Sequence, residues 1–539
     1  MKSNVFARLK MTLCLLMLGL VEAQALTWTT TRNSDGTATI VKCENPGTDT
    51  LIVPHQINGE TIKVIGASAF ANLNITTLEI PETVDSIATK AFYNNTRLTS
   101  VRFDDAPTAK LVIGDYAFEK CTALTSVRFG TNVKKIGTGA FYNSPFTTPL
   151  TFNKGLEEIG TQAFYSCKID GDMVLPSTLK KIGNLSFGPL WPSVGYKNET
   201  KSGWHFHNEL ILPESLEEIG TYAFAGARKM VTNLTLPKNL KKIGAYAFAS
   251  YPVTGTLTIP ASVEQIDNNA FSSMPLLSRV VVESGSNLTK LGKSIFGNDW
   301  HLRYIDLSNA RKLTAATCTR ANSSSPFYYL LNYTLVYLPA TFTADYIPSG
   351  QVNFIYADAE GTFHCPSFLV CDSHWDYVPG AKDNVKVYAN MYTNIKYHMT
   401  DEEKTELDNY YASLPTNRGF DLEIPHAFIA EKASYFRQIV RGNSDYIYAT
   451  ISLPYPGGTL PAGVTAYKLA STIKMDGSRN NEGLWFLSLD DTRLTSKTTN
   501  EAAGRLEANT PYILKITSKA NLGGSNPTYP NYFDLYGWI

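Results

Sequence analysis

Cysteine is scarce: seven in 539 residues, too few for a chain stapled by disulfides. Charge of one sign is lacking too. Lys and Arg number 48, as do Asp and Glu, so no net field draws the chain to nucleic acid or to an anionic membrane. After the first residues no apolar run is long enough for a transmembrane helix. There is no nucleophile elbow, no phosphate-cradling glycine loop and no carboxylate pair at a meaningful spacing. No catalytic residue, metal site or cofactor is assigned on these grounds, and a non-enzyme is expected. Aromatics are plentiful at 12%, with 30 Tyr and 26 Phe, which excludes a disordered chain.

The N-terminus has a basic head (Lys2, Arg8, Lys10), an apolar run from Met11 to Val21, and Ala23-Gln24-Ala25. This pattern predicts a secretory signal over residues 1–25, cleaved after Ala25. Cys14 lies inside the apolar run, which does not fit a lipoprotein cysteine. Cleavage removes three positive charges and Glu22, taking the net charge from 0 to −2. Six cysteines remain in an exported chain.

One phrase returns along the chain: VKKIG from Val133, LEEIG from Leu156, LKKIG from Leu179, LEEIG from Leu216, LKKIG from Leu240 and VEQID from Val263. Each belongs to a longer unit ending in Phe, usually as I-G-x-x-A-F. The closing residues are Phe70, Phe92, Phe118, Phe141, Phe164, Phe187, Phe224, Phe248, Phe271 and Phe296, at spacings of 22, 26, 23, 23, 23, 37, 24, 23 and 25. Ten copies at a period near 23 specify a solenoid. Between copies lies L-x-x-L-x-L, as in Leu98-x-x-Val101-x-Phe103 and Leu124-x-x-Val127-x-Phe129, the strand signature of leucine-rich repeats. Proline then ends several of these strands, at Pro81, Pro237 and Pro260.

Rungs stacked as parallel strands about 4.8 Å apart place equivalent residues in columns. One column reads Lys134, Glu157, Lys180, Glu217, Lys241, Glu264; its neighbour reads Lys135, Glu158, Lys181, Glu218, Lys242, Gln265. The alternating sign either favours one stacking order, at about 0.2–1 kcal/mol per opposed pair, or marks a solvated face whose exposed pairs contribute almost nothing. The recurring Phe after Ala predicts a buried file of rings. The Gly of I-G is replaced by Ala88 and Asp267, so a positive φ is not expected there.

The combination L-x-x-[LIV]-x-[LIF]-P…[LV]-[KE]-[KE]-I-G-x-x-A-F resembles the BspA-like leucine-rich repeat family over about Ile65 to Asn309. Residues 26–64 are similar to the N-terminal cap of such proteins. The resemblance implies a β-rich, right-handed solenoid and a secreted or surface-displayed bacterial protein acting in adhesion, with no catalytic residues to carry over. One departure is an insertion at about residues 188–209.

After residue 309 the period fades. Residues 310–417 are expected to cap the solenoid and connect onward, with one short helix opened by the capping box Thr400-Asp401-Glu402-Glu403. Residues 418–539 alternate β-rich runs with Gly, Pro, Asn and Asp, which predicts a small all-β, sandwich-like C-terminal domain.

The insertion carries Trp191, Tyr196, Trp204, His205, Phe206 and His207, a plausible recognition loop, or else a segment packed over a neighbouring rung. The outward strand position reads Glu79, Arg102, Arg128, Thr151, Val174, Ile211, Thr235, Thr258, Val281, Asp306. Its uncharged middle, Thr151 to Thr258, suits a protein partner, although β-branched residues also favour any exposed strand. His205-x-His207 lacks a third ligand. His364-Cys365…Cys371-x-x-His374 mimics zinc spacing, with a disulfide or two buried thiols as its other readings. Cys121 and Cys167, two rungs apart, are about 9.6 Å from one another, too far for a disulfide, and are expected to be small core residues. Cys43 and Cys318 have no assignable partner.

The expected function is binding or adhesion to a protein or glycan on a host or bacterial surface. A carbohydrate-binding accessory protein is the first alternative and a metal-dependent hydrolase the second.

Overall fold

The computed structural model describes residues 27–365, apart from 45–48, 147–149, 168–172, 188–209, 226–232, 315–324, 343–352 and a few shorter gaps, together with the backbone of eight strands from Phe368 onward. The residues predicted as a signal, the inserted loop and the helix at Thr400 lie outside the described residues. The chain divides into two compact units, Met1–Lys229 with Thr235–Tyr251, and Met230–Leu234 with Pro252–Ile539.

In the first unit each rung has two short extended stretches and a corner. Ser126–Arg128 buries Val127 and turns Arg128 outward. Gly130 turns the chain, and Val133–Ile136 buries Val133 and Ile136 while Lys134 and Lys135 face solvent. The corner then buries Ala140 and Phe141. Alternation places apolar side chains inside because successive residues of a strand face opposite ways.

The charged stretches form one parallel ladder: Ala38–Glu44, Glu60–Ile65, Ser86–Ile87, Leu111–Ile113, Val133–Ile136, Glu158–Ile159, Lys181–Ile182, Glu218–Ile219 and Lys242–Ile243. Register is the one the columns require, Lys135 opposite Glu158, Glu158 opposite Lys181, Lys181 opposite Glu218, and Glu218 opposite Lys242. The ammonium of Lys135 lies 3.0 Å from Glu158, Lys181 3.0 Å from Glu218, and Lys241 2.7 Å from Glu217. At the N-terminal end Thr27–Arg32 runs antiparallel to Ala38–Glu44, and Trp28 meets Phe70 edge-on at 6.0 Å.

The corner phenylalanines of this unit form an unbroken file. From Phe70 through Phe92, Phe118, Phe141, Phe164, Phe187 and Phe224 to Phe248, centroid separations run 5.0, 4.9, 5.1, 5.3, 5.5, 5.7 and 5.5 Å with near-parallel rings. The insertion does not interrupt it, since Phe187 still stacks on Phe224. Main-chain bonds run beside the rings: Phe92 N–H donates to Ala117, Phe118 to Ala140 and Phe141 to Ala163.

The L-x-x-L-x-L stretches pair less completely than their pattern suggests. Thr50–Ile52, Thr77–Ile80, Ser100–Phe103 and Ser126–Arg128 form one parallel sheet, and Leu150–Thr151 pairs with Met173–Val174. Residues 210–212 keep Leu210 and Leu212 inward but form no strand. The charged ladder therefore carries the stacking there.

In the second unit Phe271 stacks on Phe296 at 5.9 Å. Gly255–Ile259, Leu277–Val282, Tyr304–Asp306, Leu335–Tyr337 and Asn353–Ala357 follow as parallel neighbours, and Phe363–Cys365 turns back antiparallel on Asn353–Ala357. Parallel pairing of the L-x-x-L-x-L row thus continues through the stretch where the sequence period fades. Farther on, Tyr446–Ser452, Pro511–Thr517, Val464–Leu469 and Leu489–Thr495 lie in that order in an antiparallel sheet, while Ala433–Gln438 pairs parallel with Phe368–Cys371 and antiparallel with Tyr532–Gly537 in a smaller, mixed sheet.

Candidate binding surface

The structure brings Thr151 and Val174 side by side as in-register partners. Both face solvent, as do Ile211 and Thr235 in the next rungs of the first unit. Val174 is 56% exposed and Ile211 73%, high values for large apolar side chains. Ile52 is 59% exposed and lies opposite Glu79 in the same row, which continues through Arg102 and Arg128. In the second unit Thr258 is exposed and pairs with the half-buried Val281.

Asp306 corrects the expectation of an outward position: it is 5% exposed. Its Oδ2 accepts the Tyr304 hydroxyl at 2.9 Å, and Oδ1 accepts the Ser308 amide and hydroxyl at 2.9 and 2.6 Å. Arg279 stands 5.3 Å over the Tyr304 ring. Hydrogen bonding and a nearby cation make burial of this carboxylate tolerable, while burial foremost, with Asp306 beside it, pushes the Tyr304 phenol far up.

Trp191, Tyr196, Trp204, His205, Phe206 and His207 lie outside the described residues, as do Cys318 and His374. His364 Nε2 sits 2.7 Å from Asp358 Oδ2, a bond that holds the Asp358 carboxyl below its ordinary range, and Cys365 is buried. Among the described residues no three His, Cys, Asp or Glu side chains are grouped to hold a metal.

Cys121 and Cys167 are buried free thiols. Desolvation pushes the Cys121 thiol up to about 12 and the Cys167 thiol higher still, so neither is a nucleophile. They belong to a column the sequence reading did not identify. Three residues after the corner Phe, a small polar side chain donates to the carbonyl of the preceding rung's Phe. Asn95 Nδ2 reaches Phe70 O at 2.9 Å, Cys121 Sγ reaches Phe92 O at 3.4 Å, Ser144 Oγ reaches Phe118 O at 3.2 Å, and Cys167 Sγ reaches Phe141 O at 3.1 Å. A shared position relative to Phe was the available signal; its variety of residue types hid it.

Residues 63–189 and 204–320 match the family described as BspA type leucine rich repeat region, in six copies. The repeat region belongs to this family. No curated protein matches the chain. Among solved structures, a leucine-rich repeat protein from Bacteroides ovatus is 19% identical, with 64% of this chain and 93% of that one covered and a TM-score of 0.37. The pneumococcal vaccine antigen PcpA is 17% identical over 63% and 98%, with a TM-score of 0.32. A leucine rich cell surface protein from Faecalibacterium prausnitzii is 19% identical over 63% and 97%, with a TM-score of 0.29. Among the described residues the interior of the BspA-type repeats is filled by stacked side chains, while the row from Thr151 to Thr235 faces solvent. Among the described residues no helix is long and apolar enough to cross a membrane.

Proposed function

We propose that this is a secreted or cell-surface binding protein that adheres to another protein through the outward row of its BspA-type repeats. The supporting observation is the exposure of Val174 and Ile211 within a row of β-branched residues from Thr151 to Thr235. Large apolar side chains held outward on a rigid scaffold favour association, because contact removes their surface from water at about 25 cal/mol per Å². The signal over residues 1–25 delivers the chain outside the cell, the inserted aromatic loop adds to the surface, and residues 418–539 form a sandwich-like accessory domain.

The mature chain, Val174→Ser/Ile211→Ser and Trp191→Ala/Trp204→Ala are passed over immobilised extracellular matrix proteins and a glycan array. Binding to a matrix protein, weakened about tenfold by the first pair with the melting temperature unchanged, is the expected result. Retention by the glycan array alone favours the accessory-protein reading instead. Unaltered binding by the tryptophan pair removes the loop from the surface, and unaltered binding by the other pair removes the row.

A further inference from the structure

Beside the phenylalanine corner of the first unit stand half-buried tyrosines in successive rungs, Tyr93, Tyr116, Tyr142 and Tyr165. Two exposed lysines converge on the first. The ammonium groups of Lys90 and Lys120 each lie 5.3 Å from the Tyr93 ring centroid, and Lys90 lies 6.0 Å from that of Tyr116. Lys120 Nζ also donates to the Tyr93 hydroxyl at 2.9 Å, which raises the lysine's pKa; Glu119 adds only at longer range. The Tyr116 ring occupies the space a side chain at Gly139 would take, with Cε1 2.5 Å from a Cβ built there. Tyr142 stacks on Tyr165 at 5.4 Å.

These lysines differ from those of the charged ladder. Lys135 and Lys181 sit 3.0 Å from carboxylates of the next rung. Among the described residues neither Lys90 nor Lys120 has a carboxylate within 4.0 Å. Two cations therefore stand over phenol rings with no carboxylate in direct contact among the described residues.

We propose that Lys90, Tyr93, Tyr116 and Lys120 form a binding site for a carboxylated polysaccharide. The ammonium groups supply charge-assisted hydrogen bonds to a uronate carboxylate. The tyrosine rings, apolar in body and polar at the hydroxyl, suit the mixed surface of a pyranose. An acidic peptide fits less well, because an extended peptide gains affinity from main-chain partners. The corner's amides are already committed between rungs, Lys90 N–H to Asp115, Phe92 to Ala117 and Asn94 to Glu119. The site uses none of the Thr151–Thr235 row and does not depend on the protein partner proposed above.

Titration calorimetry of the full chain with a hyaluronan decasaccharide, dextran and polyglutamate tests the site. Hyaluronan is expected to bind while dextran and polyglutamate do not. Lys90→Ala/Lys120→Ala should weaken binding at least about tenfold, as loss of charge-assisted bonds implies. Tyr93→Phe, which keeps the ring and releases Lys120, should weaken it roughly threefold. Val174→Ser/Ile211→Ser should leave it unchanged. No hyaluronan binding, equal binding of dextran or polyglutamate, or indifference to the lysine pair overturns the proposal.

Discussion

At the scale of single residues, conformations that side chains normally avoid recur in every rung. The residue two before the corner Phe has a positive φ whatever its type: Ser68, Lys90, Tyr116, Gly139, Gln162, Leu185, Tyr222 and Tyr246 lie between 54° and 58°. Its amide donates to the next rung, as Lys90 does to Asp115 and Gln162 to Asn184. Hydrogen bonding between rungs thus offsets a left-handed cost of about 1–2 kcal/mol. Gln162→Gly should gain about 0.5–1 kcal/mol in chemical denaturation, and Gln162→Val should lose at least as much. Asp299 occupies the polar column at the position of Asn95. It is 1% exposed, its Oδ1 accepts Met274 N–H at 2.7 Å, and Oδ2 has no hydrogen-bond partner among the described residues. Burial pushes its carboxyl well above the ordinary range despite amide bonds from Met274 and Ser273. The folded state therefore holds a proton that the unfolded chain releases, and stability should fall as pH rises from about 4 toward the folded pKa. Asp299→Asn should flatten that slope and add about 1–3 kcal/mol at neutral pH, as melting curves across pH would show.

At the scale of the element, a two-residue strand such as Glu158–Ile159 has little intrinsic stability and depends on its neighbours. Its glutamate sits between Lys135 and Lys181 in register. Glu158→Lys should cost about 1 kcal/mol by placing three like charges in one column, with the loss reduced in salt. Changing Lys135 and Lys181 to Glu as well should restore only about half of it, because residue 181 then opposes the like charge of Glu218. Melting temperatures at low and high ionic strength check both outcomes. The glycines that open most corners, with Ala88 and Asp267 standing in two of the places, serve a different need. A Cβ at Gly160 would lie 2.6 Å from the Gly137 carbonyl carbon, and one at Gly183 2.5 Å from the Thr161 nitrogen. Close approach of rungs, and not a positive φ, excludes a side chain there.

At the scale of the whole molecule, stacking rungs make stability a sum of nearest-neighbour terms. Deleting residues 142–164 removes one period and sets Lys134 and Lys135 against Lys180 and Lys181; deleting 142–187 removes two periods and restores Lys against Glu. The first deletion should yield a chain whose melting temperature rises with salt, as repulsion is screened. The second should keep the salt response of the full chain. Calorimetry at two ionic strengths separates them.

The period, the phenylalanine file and the charge columns were legible in the sequence because a stacked repeat presents one local environment many times, and each copy reports the same inward and outward choices. Leu98, Val101 and Phe103 reveal their burial by spacing alone. The left-handed position was not legible, since Lys90, Tyr116 and Leu185 share a backbone demand and no side-chain chemistry. Nor was burial of Asp306, which depends on Tyr304, Ser308 and Arg279. The sequence by itself determined the repeat, its register and its inward side, because these follow from periodicity and charge order. Only the tertiary structure decided where Lys90 and Lys120 point, which carbonyls the polar column satisfies and where the ladder lapses, because each rests on distances between rungs that no single repeat encodes.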